Sequence, residues 1–161
     1  MKLYKVFFMA LLAISVGLAS CNKDDDDNAD PENNNSNGTM TAKVDGADFD
    51  ATLAVQATLD GGVFVVAGNN GNAQQIQITL NGVTSAGTYQ IGGSATNPNM
   101  GMWVASASAE ESYTTIVGVG SGSCDLTELT DSSAKGTFQF NARNTAGDVV
   151  NVTEGSFEVS F

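Results

Sequence analysis

No histidine occurs in the chain, and cysteine occurs only twice, at Cys21 and Cys124. Without imidazole there is no Ser-His-Asp or Cys-His nucleophile, no His-ligated zinc and no histidine switch near neutral pH. Basic residues are also scarce: 6 Lys and Arg stand against 18 Asp and Glu, a formal net charge of −12, and Lys2 and Lys5 are two of the six. Such a chain is repelled by phosphate backbones, and no basic stripe offsets that. Nucleic-acid binding and docking on anionic lipid through a basic face are excluded. Proline occurs only 2 times, glycine 18 times, so the chain is rich in turns and poor in rigid breaks.

The two leader lysines precede an apolar segment, Val6 to Gly17. It falls short of the ~20 residues of a membrane-spanning helix and suits a secretory signal instead. The segment runs into Leu18-Ala19-Ser20-Cys21: an aliphatic residue, two small ones, then cysteine. This resembles the lipobox of bacterial lipoproteins. The resemblance implies a signal peptide over 1–20, a diacylglycerol thioether on Cys21, cleavage before it and acylation (palmitate or a similar chain) of the new amino terminus. Each buried methylene contributes about 0.8 kcal/mol, so two or three chains hold where one would release. The bland alternative is an ordinary cleaved signal with an incidental cysteine.

Lys23, Asp24, Asp25, Asp26 and Asp27 follow at once. An acidic run directly after the acylated cysteine resembles the surface-export signal of Bacteroidota outer-membrane lipoproteins, and implies a lipid-anchored domain facing the outside of the cell. The alternative is that the acids only keep the segment solvated. Residues 21–38, through Asn28 to Gly38, have almost no apolar content and read as a disordered tether. Its 17 residues after the cysteine would span roughly 20–25 Å as a flexible coil.

From Thr39 to Phe161 the pattern changes to one β domain. Turn signals recur every eight to twelve residues: Asp45-Gly46, Asp60-Gly61-Gly62, Asn69-Asn70-Gly71-Asn72 and Asn81-Gly82. Phe49, Ala51, Leu53, Val55, Ala57 and Leu59 alternate with polar residues, as does Gln75–Leu80, which predicts strands with one buried face. Val63–Ala67 is a continuous apolar run and predicts a strand covered on both sides. Strands are also expected around Met102–Ala109 and Tyr113–Gly120, and the closing Val149–Phe161 is read as two strands or one with a break at Glu154-Gly155. The expected fold is all-β: an antiparallel β-sandwich or flattened barrel of about ten short strands. The segments K-V-D-G, G-T-F-Q-F and G-S-F-E-V resemble a family of uncharacterised Bacteroidota lipoprotein domains. That resemblance implies a compact β domain and brings no catalytic residue with it.

Within this domain, Met100, Met102, Trp103 and Tyr113 cluster about the longest loop, Gly92 to Gly101. Trp103 and Tyr113, with Asn97 and Asn99 as polar partners, form the candidate ligand-binding site. Trp103 as a core plug is the competing reading. Asp45, Asp48 and Asp50 are a lesser metal candidate; the calcium-loop order is not met, and a turn with a solvated strand explains them as well. Glu110-Glu111 could serve carboxylate hydrolysis, against the plainer reading of a charged loop. Cys124, on a strand with no base, is expected to be a small buried hydrophobe.

The expected role is a non-enzymatic binding or accessory module, without metal or cofactor, anchored to the outer membrane and holding a glycan or an outer-membrane protein. The alternatives are an assembly subunit pairing through an edge strand such as Ser156–Phe161, or a carboxylate hydrolase.

Overall fold

The computed structural model describes residues 37–116 and 119–161. The leader, Cys21, the acidic run and most of the tether lie outside the described residues.

Eleven strands form the domain, all paired antiparallel: β1 (Gly38–Val44), β2 (Ala47–Asp50), β3 (Ala54–Asp60), β4 (Val63–Asn69), β5 (Gln75–Asn81), β6 (Gly87–Gly92), β7 (Met100–Val104), β8 (Ser112–Thr114), β9 (Ser121–Leu129), β10 (Ser133–Arg143) and β11 (Val149–Ser160). One layer has the order β2-β1-β11-β10-β9-β6, and a second has β3-β4-β5-β7-β8. The layers join where Arg143 of β10 pairs with Thr114 of β8. At the opposite corner Asn37 links them: its N–H donates to the Val55 carbonyl of β3 (2.8 Å), and its carbonyl accepts from Ser160 N–H of β11 (2.7 Å). The result is one open antiparallel sheet folded on itself as a sandwich or flattened barrel, with β2 on one side and β9-β6 on the other extending one wall.

The strands of the two walls cross steeply. Along β4, the Phe64 ring lies 5.8 Å from that of Phe157 on β11, whereas a Cβ on Gly68 would strike Met40 of β1 (2.7 Å) and Ala51 beyond β2 (2.8 Å). Along β7, Gly101 sits against the Phe140 ring of β10, and two residues on Trp103 stacks edge-on to Phe49 of β2 at 5.4 Å. A short walk on one wall therefore traverses several strands of the other, as in orthogonal sheet packing. Gly68 and Gly101 bring the backbones close enough for Met40 and Phe140 to fill the space, so the pattern of small against large sets the wall spacing.

The hairpins follow from their turn residues. Asp45-Gly46 and Gly61-Gly62 have positive φ at both positions, the two-residue geometry whose twist matches the strands it joins. Strand β11 is continuous through Glu154-Gly155, but Glu154 has φ 50° and the registers with β1 and β10 both shift there. The expected break is a β-bulge.

Four expectations need correction. The alternating stretch from Phe49 to Leu59 is two strands in different walls: after β2, residues 51–53 carry the chain across, and Leu53 is exposed (54 %) despite its place in the alternation. Val63–Ala67 is not covered on both sides; Phe64 and Val66 are fully buried, Val63 is exposed and Val65 and Ala67 half-buried. The strands expected at Met102–Ala109 and Tyr113–Gly120 are the shorter β7 and β8, because Thr115 turns inward. Thr115 is buried, and its Oγ1 accepts from Gly101 N–H (3.0 Å), while its own N–H donates to the Gly101 carbonyl (3.0 Å). Finally, Ser156–Phe161 is no edge: β11 lies between β1 and β10, so strand addition there is blocked.

Candidate binding surfaces

The residues expected around the long loop are brought near one another, but their polar groups serve the fold. Strand β6 pairs only with β9, which leaves its other edge to be covered. Asn97 covers it: its Nδ2 donates to the carbonyls of Gln90 (2.9 Å) and Gly92 (2.8 Å). Asn99 Nδ2 donates to Gln90 as well (2.9 Å), and Asn99 Oδ1 accepts from Asn81 N–H (2.7 Å). The two are coupled, since Asn97 Oδ1 accepts from Asn99 N–H (3.0 Å). Side-chain amides here stand in for a neighbouring strand. Trp103 is 5 % exposed, so its faces are occupied by core contacts and offer no stacking surface. The core-plug reading is the one realised. Tyr113, opposite Trp103 in the β7–β8 ladder, is half-buried. It lines an open hollow of about 460 Å³ with Glu110, Glu111, Asn144 and Asp148. Asn144 Nδ2 donates to the Glu110 carbonyl (3.1 Å) and to Asp148 Oδ2 (3.0 Å), closing the loop between β10 and β11.

The aspartates near the domain start are not gathered. Asp45 Oδ1 accepts from Asn151 N–H (2.9 Å) and Nδ2 (3.3 Å), fastening the β1–β2 turn to β11. Asp48 and Asp50 are exposed on the short edge strand β2, and among the described residues no group of three acids, cysteines or histidines is placed to hold a metal ion. Cys124 is fully buried, and burial, with the nearby charge of Asp125, pushes its thiol up to about 12.

Sequence reasoning missed the contrast between the two outer faces. The β2-β1-β11-β10-β9 face carries the charge: Lys43 pairs with Glu154 (2.9 Å), and Lys135 sits 3.3 Å from Glu158 and 3.9 Å from Glu128. The bond to Glu154, then its charge, raises the Lys43 pKa. Two open hollows of about 310 and 470 Å³ share Gln139 on this face and are lined by hydroxyl and amide side chains such as Asn141, Asn151, Thr137 and Ser123. The outward face of β3-β4-β5-β7-β8 is different. Its rows run Thr58-Val65-Thr79-Met100 and Gln56-Ala67-Gln77-Met102-Thr114, and of its outward strand residues only Asp60, at a corner, is charged. The signal was present in alternate positions of each strand, beginning with the first, but only the register assembles them into one neutral surface.

Residues 36–159 match the family described as "Domain of unknown function (DUF6252)". No curated protein and no solved structure matches the chain.

Proposed function

We propose that this chain, which belongs to the DUF6252 family, is a lipid-anchored, non-enzymatic binding or accessory domain on the outer-membrane surface of a Bacteroidota cell, holding a protein or a glycan. The observation that carries the reading is the polarity of the barrel. β1 enters at Gly38, opposite Val159 at the far end of the twelve-residue strand β11. The turns at Asp45-Gly46 and 144–148 lie at the other end, where β11 begins. The seven residues of β1 separate Gly38 from the Asp45-Gly46 turn by about 24 Å. A domain anchored through Cys21 would be tethered at the end opposite those loops. The lipobox and the acidic run supply the anchor and the direction of export.

The test is cross-linking in intact cells with an epitope-tagged chain, followed by capture, beside a Cys21→Ala form. A recurrent outer-membrane partner that disappears in the Cys21→Ala form supports the accessory role and identifies the job it serves. A domain that reagents outside the cell cannot reach, with a partner unaffected by Cys21→Ala, would overturn the reading.

A further inference from the structure

We infer that the two hollows meeting at Gln139, on the outer face of β9-β10-β11, bind a neutral oligosaccharide. This rests on the binding-module reading above, and names the site and the ligand class which that reading leaves open.

The bulge in β11 builds the site. Between the pairs Phe138–Gly155 and Phe140–Val152, β11 sets two residues, Thr153 and Glu154, against Gln139 alone. Glu154 is held at φ 50°, a conformation unfavourable for a residue with a side chain and kept only where its surroundings enforce it. The ladder is disrupted there, and hollows of about 310 and 470 Å³ meet at Gln139. Both volumes fall within the ~300–1,000 Å³ of small-molecule sites. Gly155 lies on the Phe138 ring, and the two line the larger hollow.

What sets this place apart from the rest of the wall is hydrogen-bonding capacity that the chain does not use. Around it the polar side chains are spent. Thr41 and Ser156 bond one another (3.0 Å), Thr88 donates to Asp125 Oδ1 (3.1 Å), and Asn151 donates to Asp45 (3.3 Å). The side chains of Ser123, Thr137, Gln139 and Thr153 make no hydrogen bond among the described residues. Ser123 stands opposite Gln139, and Thr137 opposite Asp125, in the β9–β10 register.

Three hydroxyls and one primary amide present donors and acceptors together. A ligand that matches them carries both at each position, as a sugar hydroxyl does. A phosphate or carboxylate offers acceptors only, and it meets Asp125 and Glu154 in the larger hollow on a chain of net charge −12. An ammonium offers donors only and leaves the Gln139 N–H groups unmatched. A protein partner fits less well, because interface cores use aromatic and apolar anchors. Among the described residues, the one exposed large hydrophobic side chain on β9, β10 or β11 is Val149, outside both hollows. Phe138 and Phe140 are buried and give a sugar no face to stack on. Each contact therefore replaces a bond to water at small net gain. The dissociation constant expected for one copy is on the order of 1–10 mM, with avidity where anchored copies share one polymer.

The experiment titrates the nitrogen-15-labelled full chain, in mild detergent, with cellohexaose, xylohexaose, mannohexaose and maltohexaose, and follows the amide spectrum. The anionic control is hexagalacturonate. The expected result, with at least one neutral hexaose, is a saturable shift of the Gln139 side-chain amide and of the backbone amides of 121–125, 137–141 and 151–156. Hexagalacturonate should leave them unmoved. Gln139→Ala should weaken binding at least ~5-fold while the rest of the spectrum stays native, and Gln77→Ala, on the opposite wall, should leave binding unchanged. Saturable shifts that spare Gln139 and its neighbours, or none with any of the four sugars up to ~20 mM, would overturn the inference. A protein partner captured from cells alongside that negative result would leave the accessory reading standing without it.

Discussion

Replacing Asn99 by alanine separates a structural residue from a ligand-binding one. The side chain donates to Gln90 and accepts from Asn81 N–H at 2.9 and 2.7 Å. The bond to Gln90 contributes about 1 kcal/mol net, and leaving the part-buried Asn81 N–H without a partner costs about 1–3 kcal/mol. Asn99→Ala should therefore lower the unfolding free energy by about 2–4 kcal/mol, several times the ±0.5 kcal/mol of an ordinary surface change. The chain supplies its own probe: its single tryptophan, Trp103, is buried, so urea unfolding followed by its fluorescence reports the core directly. Asn97→Ala should cost a similar amount. The double variant should cost less than the sum by about 1 kcal/mol, because Asn97 holds the Asn99 backbone and both protect one strand edge. An Asn99→Ala chain within ~0.5 kcal/mol of wild type would show that these amides are not what closes β6, and would return them to the pool of residues available to a ligand.

Further outcomes follow from the packing of the core and from the ionisable groups. A methyl at Gly155 would run into the Phe138 ring, so Gly155→Ala should cost at least about 1–3 kcal/mol by overpacking, read as a fall in the urea midpoint. The Cys124 thiol, held up to about 12, ionises in the unfolded chain near pH 8.5. The unfolded state then binds fewer protons, so this group's contribution to stability should fall as pH rises from about 8.5 to 12, and Cys124→Ala should flatten that part of the stability–pH curve. The same thiol should stay unmodified by aromatic disulfide reagents at pH 8 until urea opens the barrel. Glu154→Gln removes an ion pair between exposed partners and should leave the urea midpoint nearly unchanged, with any difference shrinking at high salt.

Much of the fold could be read from alternation and turn chemistry. Asp45-Gly46, Asp60-Gly61-Gly62 and the asparagine-rich turn after β4 each sit between strands, because positive φ and tight connection are local demands that local residues must meet. What could not be read was which wall a strand joins. Phe49 to Leu59 keeps its period through residues 51–53, since Ala51 is buried on leaving one wall and Val55 on entering the other; only the tertiary pairing distinguishes a strand from a crossover. The apolar run Val63–Ala67 misled for a related reason. Its outward half belongs to the neutral face, where valine and alanine are half-buried among glutamine and threonine. Of the site expected near the long loop, Asn97 and Asn99 are the polar partners, and an amide that recognises a ligand carbonyl and one that recognises the chain's own carbonyl look alike in a sequence. Trp103 was ambiguous on the same ground, because a strand next to a loop can turn its aromatic inward or outward.

The proposed lipid anchor is tested most directly at Cys21. Mass spectrometry of the mature chain from cell envelopes, with a protease added to intact cells in parallel, reads it in one step. The expected result is an amino terminus at Cys21 bearing a diacylglycerol thioether and acyl chain, and release of the domain by cleavage in the acidic tether. A mature chain with an unmodified Cys21, or one that the external protease cannot reach until cells are broken, would contradict it.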